Sequence, residues 1–257
     1  MKNKLKKLVP AKARKKLRLL IHKGHKYECP FCHYQSRDLS DIGLKATVLE
    51  EKKVVGASRR PGGCYNCGSI DRERLIFTYL QKVYKLSDRN KDLKILHFAP
   101  GKFVSKAIRK LNFTDYICAD LHAPGYEYPE HVINMDVLDI PYEDHHFDLI
   151  ICNHVLEHVS TSLDAKKELY RVLKKGGTAI LQVPISKISK ETIEDLSITD
   201  PKEREAAFGQ FDHVRIYGQD YKERLQKAGF KVERINISRQ YEKYGLNPEE
   251  DMFIGSK

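Results

Sequence analysis

Apolar positions change their spacing along the chain. From Leu93 onward, short continuous runs alternate with stretches of helical period. Lys94–Ala99 (KILHFA), Tyr116–Ala119 and Phe147–Cys152 (FDLIIC) read as strands, with His131–Met135 a weaker one between them. Helical spacing runs through Ala107, Ile108 and Leu111. A second helix covers Leu163–Leu173, and Lys174-Lys175-Gly176-Gly177 supplies its stop, cations near the carboxyl end followed by glycine. Thr178–Val183 is a fifth strand, Asp220–Ala228 a helix ended by Gly229, and Phe230–Ile237 and Met252–Ile254 are closing strands. Such alternation specifies a parallel sheet covered on both faces. Its ligands bind outside the carboxyl ends of the strands, where strand order reverses.

Upstream the pattern is of shorter range. Ile76, Tyr79, Leu80, Val83 and Leu86 recur at helical intervals and predict an amphipathic helix. Lys45–Val55 is rich in β-branched residues, and Gly56 and Pro61-Gly62-Gly63 read as turns, which predicts a hairpin. After Pro10, Ala13, Leu17, Leu20 and Ile21 follow helical spacing among basic residues. The expected organisation is a basic amphipathic tail (1–26), a small module (27–70), a linker helix (71–90) and a main α/β domain (91–257). No stretch approaches the roughly 20 apolar residues that span a bilayer. Leu19-Leu20-Ile21 is too short for a signal-peptide core, so a cytoplasmic protein is expected.

Charge separates the tail from the body. The formal net charge of the 257 residues is +11, and eleven of the 46 Lys and Arg lie within residues 1–26 without a single acid. The remainder therefore balances, and a neutral body argues against a nucleic-acid groove. The tail itself suits an anionic membrane surface, RNA phosphates, or simple solubilisation.

Four of the six cysteines form two C-x-x-C pairs, Cys29-Pro-Phe-Cys32 and Cys64-Tyr-Asn-Cys67. Two such pairs complete a tetrahedral sulfur site, which zinc prefers and which leaves no open coordination position. A module this small has too little core to fold unaided, so a structural metal would supply folding energy. Disulfides and redox pairs fit less well, since nothing indicates secretion. His33, beside Cys32, reads as a surface residue, and Cys118 and Cys152 as buried strand residues.

The strand ends carry the candidate chemistry. His97-Phe98-Ala99-Pro100-Gly101 is a small-residue turn through which backbone can approach a ligand. Asp120 ends the second strand, where an acid can accept both hydroxyls of a ribose, although a helix cap explains a lone acid as well. Asp136 ends the third, with Val137 beside it to pack on a base. The fourth ends at Asn153 and runs into His154-Val155-Leu156-Glu157-His158-Val159.

At these positions the chain resembles the class I S-adenosylmethionine (SAM)-dependent methyltransferases of the "type 11" group. The resemblance rests on Pro141–Val159 (PYEDHHFDLIICNHVLEHV) and on Glu168–Gly177 (ELYRVLKKGG). The cysteine pairs, Gly68–Arg74 (GSIDRER), the HFAP turn and Phe208–Gly218 resemble a narrower bacterial subgroup that often accompanies surface-glycan assembly. The resemblance implies a seven-stranded Rossmann-like methyltransferase sheet with a small N-terminal zinc-ribbon-like module. It implies a cofactor site of His97, Ala99, Pro100 and Gly101, with Asp120 and Leu121, Asp136 and Val137, and Asn153 and His154. One departure is plain. The usual acid-x-Gly-x-Gly reads His97-x-Ala99-x-Gly101, so the acid that orients the amino group of the cofactor's methionine is missing.

His158 and His213 are the candidates for a general base, with His154 a third. His154 and His158 would share a face if their segment were helical. His154-x-x-Glu157-His158 also matches an inverted zinc-protease string, which its place after strand four argues against. A divalent ion on Glu157 and His158 is a further option. Ile185–Arg215 is an insertion placed to cover an acceptor, and within Gln210–Tyr217 the pair Asp212-His213 would be an oriented base. Lys202–Glu205 reads as a solvated helix face. The expected function is methyl transfer from SAM to oxygen or nitrogen of a small-molecule or glycan acceptor, with the tail on an anionic membrane. An RNA methyltransferase is the first alternative, weakened by the lack of an N-P-P-Y-type motif at Asn153–Leu156. A non-catalytic SAM-fold binding module is the second.

Overall fold

The computed structural model describes residues 10–123 and 127–257; Lys2, Lys4, Lys6 and Lys7 of the basic tail lie outside them. Helix α1 (Ala11–Ile21) follows Pro10 as the spacing predicts and buries none of its residues. Strands β1 (Lys23–Glu28) and β2 (Gln35–Ser36) pair antiparallel. After them come β3 (Ser40–Ile42), α2 (Thr47–Glu51), β4 (Val54–Val55) and β5 (Arg60–Gly63).

The hairpin expected over Lys45–Val55 does not form. Thr47–Glu51 is helical, and β4 instead pairs antiparallel with β11 (Ile185–Ser186), some 130 residues downstream. Pro61-Gly62-Gly63 is not a turn but part of β5, which pairs with β3. The glycines serve close approach, since a Cβ on Gly62 would lie 2.6 Å from Ile42 Cδ1.

The linker begins as α3 (Asp71–Thr78) and widens into a π turn at Tyr79–Val83. Ile76, Tyr79, Leu80 and Leu86 are buried as predicted, whereas Val83 is exposed. The wide turn adds residues per revolution and rotates Val83 off the apolar face. Arg74, fully buried, donates to the carbonyls of Gly62, Ser69, Tyr244 and Gly245 and so ties the cysteine region to the far end of the chain.

The main sheet contains β6 (Lys94–Phe98), β7 (Asp115–Asp120), β8 (Val132–Asn134), β9 (Phe147–Asn153), β10 (Leu173–Gln182), β14 (Lys231–Ile235) and β15 (Met252–Ser256). Their spatial order is β14-β15-β10-β9-β6-β7-β8. β6 to β10 are parallel, and β15 runs antiparallel to both its neighbours. Successive residues feed opposite faces. Leu96, Phe98, Ile150, Cys152, Ala179 and Leu181 pack with α5 (Ser162–Val172) and α7 (Tyr221–Gln226). Ile95, Leu149, Ile151 and Ile180 pack with α3 and α4 (Lys102–Arg109). Cys118 and Cys152 are buried as expected.

One boundary differs from the expectation. Lys174–Gly177 does stop α5, but it already belongs to β10, whose register on β9 shifts there. Gly176, at φ 76°, takes the left-handed conformation that this bulge requires. The insertion after β10 comprises β11, β12 (Ile193–Glu194), α6 (Pro201–Phe208) and β13 (Arg215–Ile216). Leu49, Val54, Phe208 and Ile216 form a small core that fastens this insertion to the N-terminal region. Among the described residues, no helix is long and apolar enough to cross a membrane.

Candidate functional site

The switch point lies between β6 and β9, which are neighbours although β7 follows β6 in sequence. A cavity of about 350 Å³ opens at their carboxyl ends, lined by His97, Ala99, Gly101, Asn153 and His154 among others. Both loops are sharply bent. Ala99 has φ 47° and His154 φ 56°, left-handed values unusual outside glycine. Hydrogen bonds hold each bend, Ala99 N–H to Ala119 O at 2.9 Å and His154 N–H to Gln182 O at 2.8 Å.

The sequence-predicted cofactor residues divide into two groups. Five of them surround the cavity. Asp120 stands apart at the tip of β7 with its carboxylate half-buried; burial raises its pKa against the help of the Leu121 N–H. Leu121 is exposed beside it, and Pro100 is half-buried. Asp136 accepts the Leu138 N–H at 2.9 Å, a local turn that occupies one oxygen and leaves the other without a hydrogen bond among the described residues. Val137 is buried in the core rather than open to stack on a base. Side-chain alternation explains that difference, because Asp136 faces outward.

The cavity also draws residues that the sequence reading left without a role: Ile70, Arg72 and Glu73 from the start of α3, Gln182 from β10 and Glu250 before β15. The GSIDRER stretch had singled out the first three as a motif but not as a wall of the site. Glu73 bridges two elements, accepting Ile70 N–H and Phe103 N–H, each at 3.3 Å. Gly101 must stay small for this, since a Cβ there would lie 3.1 Å from Glu73 Oε1.

A second cavity of about 350 Å³ shares Ile70, Arg72 and His154 with the first and adds Glu157, His158, Gln210 and His213. His154–His158 is a turn and not a helix, so the two histidines share no helix face. His154 Nδ1 lies 3.3 Å from Glu157 Oε1, and burial lowers its pKa to about 4. His158 Nδ1 lies 3.3 Å from Asp212 Oδ2. Burial pulls the His158 pKa down, but the adjacent Asp212 carboxylate and the Glu157 charge outweigh it and raise it above the usual value. Asp212 is thus turned toward His158 and not, as expected, toward His213, which packs edge-on against the His158 ring. Gln210 fixes the other Asp212 oxygen at 2.7 Å.

Arg215 and Tyr217 are anchors rather than site residues. Arg215 donates to the carbonyls of Leu156, Val159 and Ser160 and pairs with Glu194; Tyr217 donates to Leu156 O. Together they fix the turn that carries His158. Lys202, Glu203 and Glu205 are exposed as expected. Glu157, His158 and His213 also bring ligand-type atoms within 4.8 Å of one another. Glu157 and His158, however, already face His154 and Asp212 respectively, each at 3.3 Å.

Cys29, Cys32, Cys64 and Cys67 converge, their sulfurs all within 4.8 Å, and no disulfide joins them. Cys29–Cys67 and Cys32–Cys64 are 3.6 and 3.7 Å apart. Tetrahedral ligation at a zinc–sulfur distance of ~2.3 Å would separate sulfurs by about 3.8 Å. The Ser69 hydroxyl lies 3.3 Å from Cys29 Sγ and 3.2 Å from Cys67 Sγ, an outer partner for sulfur ligands. His33 stays on the surface near Glu28.

Part of the chain is similar to known proteins. Residues 100–181 match the family Methyltransf_11, described as a methyltransferase domain, over less than half of the chain. The uncharacterized protein MJ0638 of Methanocaldococcus jannaschii is 31% identical over 129 residues, 49% of this chain. The chain spans 57% of that relative. A putative methyltransferase from Bacillus halodurans is similar over 66% of this chain and 78% of its own, at 21% identity and a TM-score of 0.40. A SAM-dependent methyltransferase from Archaeoglobus fulgidus is similar over 74% and 95%, at 14% identity and a TM-score of 0.47. The matched domain and the seven-strand order together give this chain a Rossmann-like methyltransferase fold.

Proposed function

We propose that the protein transfers a methyl group from SAM to oxygen or nitrogen of a small-molecule or glycan acceptor. The observation that carries this reading is the junction of two cavities at Arg72 and His154, one beneath the ends of β6 and β9, the other bordered by a His158–Asp212 pair. The first cavity suits the methionine half of SAM. Asn153 Oδ1 and Glu250 Oε2 are buried at its wall without a hydrogen-bond partner among the described residues, acceptors in want of a donor. Asp120 would hold the ribose and Asp136, through its other oxygen, the adenine amino group. His97, Ala99, Pro100, Gly101 and Leu121 would form the adjoining walls.

Bound SAM supplies an electrophilic methyl on a sulfonium. The chain's part is to align the acceptor, exclude water and take the proton. His158 is the candidate base, its Nδ1 oriented by Asp212. His213 packs on its ring and helps fix the plane. The neutral body and two cavities of about 350 Å³ each favour a small acceptor; the glycan class rests on the sequence resemblance alone. Zinc on Cys29, Cys32, Cys64 and Cys67 would be structural, because four sulfurs close its coordination shell. Leu17, Leu20 and Ile21 are exposed on the basic helix α1, which suits an anionic membrane surface.

The test is calorimetry of the purified chain with S-adenosylhomocysteine (SAH). Transfer from labelled SAM into a cell extract, read by mass spectrometry, then identifies the acceptor. Absence of SAH binding would refute the reading. Binding without transfer to any extract component would leave a binding module in its place. Transfer to RNA, with salt-dependent retention on RNA and not on anionic vesicles, would establish the RNA alternative.

A further inference from the structure

We infer that Arg72 and Glu250 form a clamp for the amino-acid zwitterion of the methyl donor, Arg72 taking its carboxylate and Glu250, with Asn153 Oδ1, its ammonium. This inference rests on the reading that the first cavity holds SAM.

It starts from a vacancy in the charge pattern. The position that an acid would fill on β6 is His97, which is 1% exposed. Its Nδ1 lies 2.8 Å from the Tyr116 hydroxyl, and burial takes its pKa down to about 3. A neutral imidazole cannot balance an ammonium. The cavity nevertheless contains charge from elsewhere in the chain. Glu73 is already committed to two backbone N–H groups. Arg60, nearby, is committed too, with a two-point pair to Asp71 at 2.6 and 2.8 Å.

Arg72 and Glu250 differ. Arg72 donates its backbone N–H to Asp71, but its guanidinium has no ion-pair partner within 4.0 Å among the described residues. Glu250 is 4% exposed, and its Oε2 makes no hydrogen bond. Asn153 Oδ1, on the same wall, is a second buried acceptor without a donor. Groups left open in this way around one cavity describe their ligand, one planar fork for a carboxylate and two acceptors for an ammonium. The two residues come from opposite ends of the chain, Arg72 following the cysteine region and Glu250 preceding the last strand. Arg74, two residues beyond Arg72, holds these regions together through Tyr244 and Gly245.

The test compares two ligands on the full metal-loaded chain by calorimetry. SAH carries the zwitterion; 5′-methylthioadenosine has the same nucleoside and sulfur without it. Glu250→Gln and Arg72→Gln should each weaken SAH at least tenfold and change methylthioadenosine less than twofold. Arg72→Lys, which keeps the charge but not the fork, should retain part of the SAH affinity. If both Gln variants bind SAH as the parent does, the clamp is refuted while the function stands. If they lose both ligands equally, the effect is general and the clamp is refuted as well. If the parent chain binds neither ligand, the underlying function fails first.

Discussion

His158 Nδ1 and Asp212 Oδ2 face each other at 3.3 Å across the wall of the second cavity, although 54 residues separate them in sequence. A carboxylate can only accept, so the pair closes as a hydrogen bond when Nδ1 carries the hydrogen, which would leave Nε2 to take a proton. Asp212 is itself held, because Gln210 donates to its second oxygen. The pair repeats the base-and-orienter arrangement of nucleophilic enzymes without a protein nucleophile.

Replacing His158 by Gln should therefore lower the rate of methyl transfer about 10²–10⁴-fold and leave SAH affinity unchanged. The base works when neutral, so the rate should rise with pH through the His158 pKa, which lies above its usual value. Asp212→Asn removes the main support of that raised value and should shift the rising limb to lower pH. A pH–rate profile on the identified acceptor reads both effects. An unaltered limb in Asp212→Asn would remove the pair from the proton path.

Asp120 tests the other half of the cofactor site. Its carboxylate ends β7, half-buried and without an ion pair among the described residues. Asp120→Ala should weaken SAH and 5′-methylthioadenosine alike, at least tenfold, or about 1.4 kcal/mol. Equal loss for both ligands distinguishes a ribose contact from the zwitterion clamp. Unchanged affinity in titration calorimetry would take Asp120 out of the site.

Metal content and cofactor affinity should move together. Ile70, Arg72 and Glu73 follow Cys67 directly and form one wall of the first cavity. Elemental analysis should find one zinc per chain. Chelation should loosen the cysteine region before the main sheet melts, and it should weaken SAH binding several-fold through that wall. Zinc added back should restore both. A chelated chain that binds SAH undiminished would show the cysteine region to be independent of the site.

The legible part of the fold was the part whose burial is local. β6 and β9 are sheathed on both faces, so Lys94–Phe98 and Phe147–Asn153 appear in the sequence as short, mainly apolar runs. Their ends bring His97, Ala99, Gly101, Asn153 and His154 to one cavity. Other features depend on partners remote in sequence. Val54-Val55 finds its strand partner in Ile185-Ser186, and no local spacing announces that pairing. Arg72 and Glu250 meet one cavity from positions 178 residues apart, so only the folded chain reveals them together. Asp212 precedes His213 in sequence but serves His158, because Arg215 and Tyr217 pull the β9 turn against this segment.

The pH dependence of cofactor binding gives a separate check on Glu250. Burial first, with the Asp71 and Asp251 carboxylates and against the pull of Arg60 and Arg72, raises its pKa to about 7. His154, close to it across Gly56, is kept neutral by burial and does not compete. In the free protein the Glu250 carboxyl is thus partly protonated at neutral pH, whereas an ammonium needs the carboxylate. SAH affinity should level off near pH 8, below the titration of the ligand's own ammonium, and should fall as pH drops below 7, approaching tenfold per unit once the acid form dominates. Binding just below neutrality should release a proton, visible as a calorimetric enthalpy that varies with the ionisation enthalpy of the buffer. Glu250→Gln should abolish both the slope and the proton release. 5′-Methylthioadenosine, lacking the ammonium, should show neither even with the parent chain. A parent chain whose SAH affinity is level from pH 6 to pH 8 would mean that Glu250 does not meet the ligand as a carboxylate.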